Sequence, residues 1–391
     1  MTDHGNETRR RRRRRGATAG FPAGAPPNSS DVLWEIFLRL PPLPSSLPRV
    51  SLVCKWWRGL AADPEFLLRF RAHHRQPPLL GLFKDYGGWV SFTPVLSAPD
   101  RIPRQRFSMR IDYGGRYGAE METYPSPTLA TIGGAVLCTS RDERHVHGGC
   151  HSSPFNVVLV KILYEYEAGG DRQSRGGARV YSSETGMWSD PISAVEQCTS
   201  NSVYLHLPST LVGGSLYWWL RCYSSYNMEI LQFDIGTETL SLIDGPPQKL
   251  DIYCSQIIQG EDGGVGVAVL SYPSLQLWDW KVDAGDDVAT MWVLRKTISL
   301  DLVPNMRATQ TEIVGYVEDN DAILIKFNDN VFIVQLESAQ SEKLCDSFVT
   351  HQYHAFTSFY YSGEFGRCKG ITSAPRKAPA EPSKHQNPSH V

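Results

Sequence analysis

One strand–turn–strand pattern returns along this chain at a nearly constant distance. Four such segments are centred on Gly186 (VYSSETGMWSD), Thr237 (ILQFDIGTETLSLID), Asp286 (LQLWDWKVDAGDDVATMWVLRKTISL) and Ala339 (NVFIVQLESAQSEKL), spaced by 51, 49 and 53 residues. A second series is centred on Gly133-Gly134, Gly213-Gly214, Gly263-Gly264 and Asp319-Asn320, spaced from its second member on by 50 and 56. A lone hairpin cannot bury its apolar face, so a repeat of this kind is stable only when its units stack. Two interleaved series with one period predict four-stranded sheets set around an axis, a β-propeller. The run 79–365 has room for about six such units at that period, the first of them poorly defined. The wider gap from Gly134 to Gly213 predicts an insertion, roughly 141–153 and 168–177, in exposed Gly-rich loops.

Residues 31–70 follow a different rule. Between Asp31 and Leu60, fifteen of thirty positions are Val, Leu, Ile, Phe or Trp. The pattern predicts a helix capped by Ser30 or Asp31 and ended by Pro41, Pro42 and Pro44. A second helix, capped by Ser45 or Ser46, carries Leu47, Val50, Leu52, Val53, Cys54, Trp56 and Trp57. A third starts at Asp63-Pro64 with Phe66, Leu67 and Phe70 on one face. The first helix is apolar nearly all round, where one stripe would serve a single core. A unit this small buries only part of its surface, so the spare apolar face predicts a partner. The link from His73 to Leu79 is short and holds Pro77-Pro78, which restrains the angle between the two parts.

The order of features in the helical stretch resembles the F-box: E-I-x-x-R-L-P-P from Glu35 to Pro42, then S-L-x-R-x-S-L-V-C-K-x-W from Ser46 to Trp57, then Asp63-Pro64-x-Phe66. The resemblance implies a Skp1-binding module that docks the chain, indirectly, onto a cullin and a RING subunit. On that resemblance the Skp1-facing residues are Leu33, Ile36, Leu40, Pro42, Leu47, Val50, Leu52, Val53, Cys54 and Trp57. The family usually opens with Leu-Pro, and Asn28-Ser29 stand here instead.

The β region resembles the propeller-like associated domain of plant F-box proteins, especially those of grasses. The pieces that carry it include VYSSETGMWSDPIS (180–193), LVGGSLYWWL (211–220), ILQFDIGTETLSLI (230–243) and HAFTSFYYS (354–362). The expected fold is therefore α+β and multidomain: a disordered Arg-rich tail (1–30), a small all-α F-box-like unit (31–75), an all-β propeller with a kelch-like period near fifty (79–365), and a disordered tail (366–391). The expected function is substrate recognition in an Skp1–cullin–F-box ubiquitin ligase; the alternative is a Skp1-binding scaffold without degradation. Trp219, Tyr223 and Tyr226 are the candidates for gripping an unknown target protein. A propeller that binds sugars or small molecules would instead need polar residues converging at one mouth.

Other chemistries find little footing. His145, His147, Cys150 and His151 form one metal-like run, read as a polar loop that happens to hold His. The eight Cys include no CxxC pair, and none has a visible base for covalent transfer. Asp286-Asp287 and Glu318-Asp319 are read as solvated turn charges, and the Gly pairs as hairpin turns with positive φ rather than phosphate loops. No metal, cofactor or catalytic residue is expected. A formal net charge of −2 argues against a nucleic-acid partner, the run Arg9–Arg15 notwithstanding. No apolar run approaches a membrane span, and the reading favours the cytoplasm, the nucleus or both. Deleting residues 1–27 is expected to leave Skp1 capture unchanged in a pull-down; a lost complex would show that the tail takes part.

Overall fold

The computed structural model describes residues 29–86, 89–107, 109–110, 128–140, 153–166, 172–193, 208–221, 228–248, 250–283, 289–300, 310–346 and 352–359. Its helical unit consists of α1 (Ser30–Leu38), α2 (Ser46–Ser51), α3 (Lys55–Ala61) and α4 (Pro64–His74). Leu33 and Phe37, one turn apart on α1, enter a core with Leu47, Val50, Ala61, Phe66 and Phe70. The Phe37 ring meets those of Trp57 and Phe66 edge-on, with centroids 5.2 and 5.9 Å away. Asp63 caps α4: its Oδ1 accepts from the backbone N–H of Glu65 at 2.9 Å and of Phe66 at 3.2 Å, with Pro64 in the first turn.

Two helical expectations are corrected. Ser29, not Ser30 or Asp31, is the N-cap of α1, and its side chain makes no cap bond. The single helix expected through Trp57 is two helices, because the chain turns at Leu52 and Val53 and is extended at Cys54. The Cys54 Sγ then accepts from the Trp57 N–H at 3.4 Å and starts α3. Apolar residues keep helical spacing across this break, so the pattern does not reveal it.

The strands form five antiparallel sheets among the described residues. Sheet I holds β1 (Leu79–Tyr86), β2 (Trp89–Pro94) and β3 (Met109–Arg110). Sheet II holds β4 (Thr128–Cys138), β5 (Phe155–Tyr166), β6 (Arg172–Ser182), β7 (Met187–Trp188) and β8 (Ile192–Ser193). Sheet III holds β9 (Thr210–Val212), β10 (Ser215–Arg221), β11 (Met228–Asp234) and β12 (Thr239–Asp244). Sheet IV holds β13 (Ser255–Gln259), β14 (Val265–Ser271), β15 (Ser274–Asp283) and β16 (Ala289–Ser299). Sheet V holds β17 (Thr311–Val317), β18 (Ala322–Phe327), β19 (Asn330–Gln335) and β20 (Ser341–Asp346). The last described strand, β21 (His354–Thr357), returns to sheet I and pairs with β1.

These are five blades rather than about six. The opening and closing pieces of the β region, read apart in the sequence, are one sheet because β21 completes it. Gly186, Thr237 and Ala339 do fall in the turns between the third and fourth strands of sheets II, III and V. Gly213-Gly214, Gly263-Gly264 and Asp319-Asn320 fall between the first and second strands of III, IV and V, with positive φ at Gly213, Gly214 and Gly263. Gly133-Gly134 is no turn: both residues lie inside β4, opposite Val160 and Leu159. Arg172–Gly177, expected in a loop, is part of β6.

Side chains that alternate along the strands fill the gaps between successive sheets. On β10, Leu216, Trp218 and Leu220 face sheet II, while Tyr217 and Trp219 face sheet IV. Ile258, Leu275 and Leu277 meet Ile313, Ile325 and Phe327 between IV and V. Leu82 of sheet I joins Val314, Leu324 and Val331 of sheet V. Among the described residues no apolar cluster spans sheets I and II, and Val136, on the far side of sheet II from sheet III, is 70% exposed.

The segment around β21 ties three parts together. The Tyr353 N–H donates to the Val314 carbonyl of sheet V at 2.7 Å, and a Cβ on Gly315 would lie 2.7 Å from the Tyr353 oxygen, so only glycine allows this approach. The Ser358 N–H donates to the Pro78 carbonyl at 3.3 Å. Phe359, with no exposed surface, enters the helical core. The Ser45 N–H also donates to Asp100 Oδ1 at 2.7 Å, a second tie between the helices and sheet I. Phe359→Ala is expected to cost about 3–5 kcal/mol, read as an earlier transition of the helical unit in denaturant; an unchanged curve would show that the contact stabilises nothing.

Candidate functional site

Two surfaces are candidates, one on the helices and one on the propeller axis. On the helical unit, several large apolar side chains stay outside the core. Ile36 is 44% exposed, Leu52 78% and Val53 57%, and Val32 and Trp56 are exposed as well. Val32 and Ile36 are one turn apart on α1, on a different side from Leu33 and Phe37. Leu52 and Val53 point outward because the chain turns between α2 and α3, and α3 packs on both α2 and α1. Burying a Leu or Ile side chain is worth about 1.5–3 kcal/mol. A partner that covers this face therefore gains several such terms.

The residues expected to face a partner divide by position. Ile36, Leu52, Val53 and Cys54 are exposed, and Leu40, Pro42 and Trp57 are half-buried. Leu33, Leu47 and Val50 are in the core of the unit, where they hold the face in shape and cannot touch a partner. Trp219 is likewise 2% exposed between sheets III and IV, so a target does not reach it. Tyr223 and Tyr226 lie outside the described residues, as do His145, His147, Cys150, His151 and Arg9–Arg15. Among the described residues no three potential ligands gather as for a metal ion. No described helix is long and apolar enough to cross a membrane, which says nothing of strands.

The inner strands β9, β13, β17 and β21 lie side by side around the axis. They enclose a cavity of about 210 Å³ lined by Thr210, Gln256, Tyr316, Glu318, Asp319 and Thr357, among others. Thr210 Oγ1 donates to the Ile257 carbonyl at 3.1 Å and accepts from Gln256 Nε2 at 3.4 Å. The Tyr316 hydroxyl donates to Asp321 Oδ1 at 2.8 Å and accepts from the Gln259 N–H at 3.3 Å; burial, with Asp321 beside it, raises the phenol above its ordinary pKa. Glu318 Oε1 accepts from the Leu211 N–H at 3.2 Å, and Thr357 Oγ1 donates to Asp319 Oδ2. Desolvation pushes the Glu318 carboxyl above the usual range; the Leu211 N–H opposes this and the Asp319 charge adds to it. Glu318 and Asp319, read from the sequence as solvated turn charges, do lie exposed in the turn Glu318–Asn320, and from there they also edge this cavity. No local signal could have shown it, because the lining comes from four separate strands and the turns beside them.

A second concavity of about 540 Å³ between sheets IV and V holds Arg295, Lys296 and Glu337. Its cations are engaged by the fold. Lys296 Nζ donates to the carbonyls of Leu336 and Glu337 at 3.0 and 2.7 Å, and Arg295 Nε lies 3.7 Å from buried Asp279.

A helical unit with an uncovered apolar face, mounted on a propeller, defines the class. Residues 30–72 match the F-box-like model, and residues 156–358 match that of the F-box protein AT5G49610-like β-propeller. The chain belongs to this F-box family. It is 22% identical over 314 residues to an F-box/kelch-repeat protein, At3g17280, of Arabidopsis thaliana, covering 71% of this chain and 78% of that one. Both matched families are typically those of non-catalytic adaptors. Similar solved structures include the extracellular domain of a one-component system, BT4673, from B. thetaiotaomicron, at 15% identity and a TM-score of 0.27. That match covers 60% of this chain and 29% of the other. The β-propeller domain of the Trilobed protease from Pyrococcus furiosus matches at 8% identity and a TM-score of 0.23, over 48% of this chain and 67% of that one.

The raised carboxyl of Glu318 makes a stability prediction with a definite sign. A carboxyl whose folded pKa lies above its unfolded one favours the folded state when protonated, and that advantage is lost as pH rises from the unfolded to the folded value. Glu318→Gln, which keeps an acceptor for Leu211, is expected to melt higher than the wild type at pH 7. The gap should close as the buffer is brought down towards the ordinary carboxylate range. A gap that does not change with pH would assign the effect to packing.

Proposed function

We propose that the chain is a non-catalytic substrate adaptor of an Skp1–cullin–F-box ubiquitin ligase. The carrying observation is the set of uncovered apolar side chains on the helical unit, Leu52 and Val53 foremost. They suit a helix-on-helix interface with a Skp1-like protein, whose centre would be apolar and rim polar. Cullin and RING subunit join through that partner, and the propeller holds a target protein. The reaction is accelerated by proximity: a lysine of the target, held near a ubiquitin-charged enzyme, reacts at a raised effective concentration.

Such a task needs a fixed angle between the two ends. The Asp100 bond to the Ser45 N–H and the burial of Phe359 among the helices support this, as does the short step from α4 to β1. The adaptor would work in the cytoplasm, the nucleus or both, where its partners meet it.

The test is a pull-down on Skp1 and cullin. Leu52→Asp with Val53→Asp is expected to abolish capture while leaving the melting curve unchanged, since both side chains are exposed. Capture that persists would overturn the assignment of this face. Skp1 captured without cullin would overturn the ligase role.

A further inference from the structure

Sheet II is packed on one face only. Among the described residues, apolar clusters lie on both faces of sheets III, IV and V. Sheet I also has two, one shared with sheet V and one on its other face. That other face is closed by the chain that follows β2. It brings buried Ile102 and the ring of Phe107 onto the sheet, with the Phe107 centroid 5.2 Å from those of Phe92 and Phe356. Sheet I therefore needs no apolar neighbour on that side. Sheet II sets Val158, Val160 and Ile162 against sheet III, and no described apolar cluster lies on its opposite face.

Strand alternation puts Val136, Phe155, Val157, Leu159, Tyr181 and Trp188 on that opposite face. Phe155, Leu159 and Trp188 are 41, 37 and 42% exposed, and Val136 more so. The centre of the face is low. Gly134 stands opposite Leu159, and a Cβ there would lie 3.0 Å from Leu159 Cδ2. A glycine inside a strand leaves room for another backbone to come close. The charges beside it are of one sign. Lys161, two residues past Leu159 on β5, is exposed and makes no ion pair among the described residues. Arg179, across from Leu159 on β6, donates from Nε and Nη2 to the Ser189 carbonyl at 3.2 and 3.0 Å, which fixes the guanidinium without neutralising it. From Phe155 to Lys161, and in the residues of β4 and β6 paired with them, there is no acid. The nearest in sequence are Glu165, farther along β5, and Glu184 and Asp190 in the turns before and after β7.

We propose that this face of sheet II is a docking surface for the target protein, and that the segment seated on it is apolar and flanked by acidic residues. The proposal rests on the adaptor reading for the identity of the partner. Phe155, Leu159 and Trp188 form the apolar centre, of the residue types that dominate interface energetics, and Lys161 and Arg179 pair with the flanking acids. A second copy of this chain fits poorly, because face to face it sets Lys161 and Arg179 against the same two cations. The surface selects by charge: a segment with basic flanks meets like charge and is rejected.

The test uses the full-length chain carrying Leu52→Asp and Val53→Asp, so that the helical face takes no part. The probes are three blocked, labelled peptides: Glu-Val-Leu-Phe-Val-Glu, and the same core flanked by Gln or by Lys. Fluorescence anisotropy is expected to show the Glu-flanked peptide binding at least about tenfold more tightly than the Lys-flanked one, with the Gln-flanked one between. Lys161→Glu should invert that order, and Leu159→Asp should weaken all three by about tenfold. Both positions are exposed, so melting curves of the variants should match the parent. No binding, equal affinity for the three peptides, or an order that Lys161→Glu leaves unchanged overturns the surface. A Leu159→Asp variant that melts well below its parent also overturns it, since the chain's own residues then cover the face. So does a dimer in sedimentation that Leu159→Asp dissociates, which gives the face to a second copy. Skp1 capture, with the helical face restored, should be unaffected by Leu159→Asp. If the Glu-flanked peptide binds but the wild type captures no Skp1, the adaptor reading fails and the surface stands; the reverse result removes the surface alone.

Discussion

The fold depends on one pairing of distant segments. Leu82 faces Ala355 and Phe83 faces His354 where β1 meets β21, so the first blade is built from both ends of the β region. Without this pairing, sheet I has only β1, β2 and the two-residue β3. A three-stranded sheet with so short an edge buries little by itself. With it, the Tyr353 bond to Val314 sets sheet I against sheet V, and Phe359 fixes the helical unit above them. Ring closure and the orientation of the helices are thus the same event. The adaptor reading draws its rigidity from this source more than from Pro77-Pro78.

Much of the propeller was legible because turn chemistry is local. Gly213, Gly214 and Gly263 are where a tight turn needs positive φ, and Gly186, Thr237 and Ala339 mark outer hairpins at a steady interval. Gly133-Gly134 misled because a glycine pair also occurs within a strand. The blade count misled because β1 and β21 are far apart in sequence, and periodicity does not encode which remote strands pair. In the helical unit, Phe66 and Phe70 after the Asp63-Pro64 cap could be read directly. The turn at Leu52–Cys54 could not, since the apolar spacing runs through it. That turn decides which residues are available to a partner, so Leu33, Leu47 and Val50 cannot be told from Leu52 and Val53 without three dimensions.

The axial cavity was the least legible feature. Thr210, Gln256, Glu318 and Thr357 are scattered over more than a third of the chain and share no motif. Strand alternation does indicate which residues on β10 or β14 are apolar on both faces, and so mark a core strand. It does not indicate which polar residues meet across a symmetry axis. That meeting is set by how five sheets close, a property of the whole ring.

The place of Phe359 has a consequence for biosynthesis. Helices α1 to α4 are translated before the sheets, and the residue that completes their core is made only after all five sheets have been translated. Leu52 and Val53, which carry the apolar face, are likewise translated early, and the helical core beneath them lacks one ring until the end. A chain cut short in the propeller carries Leu52 and Val53 but lacks Phe359. On the adaptor reading, such a fragment would occupy the partner without presenting a target.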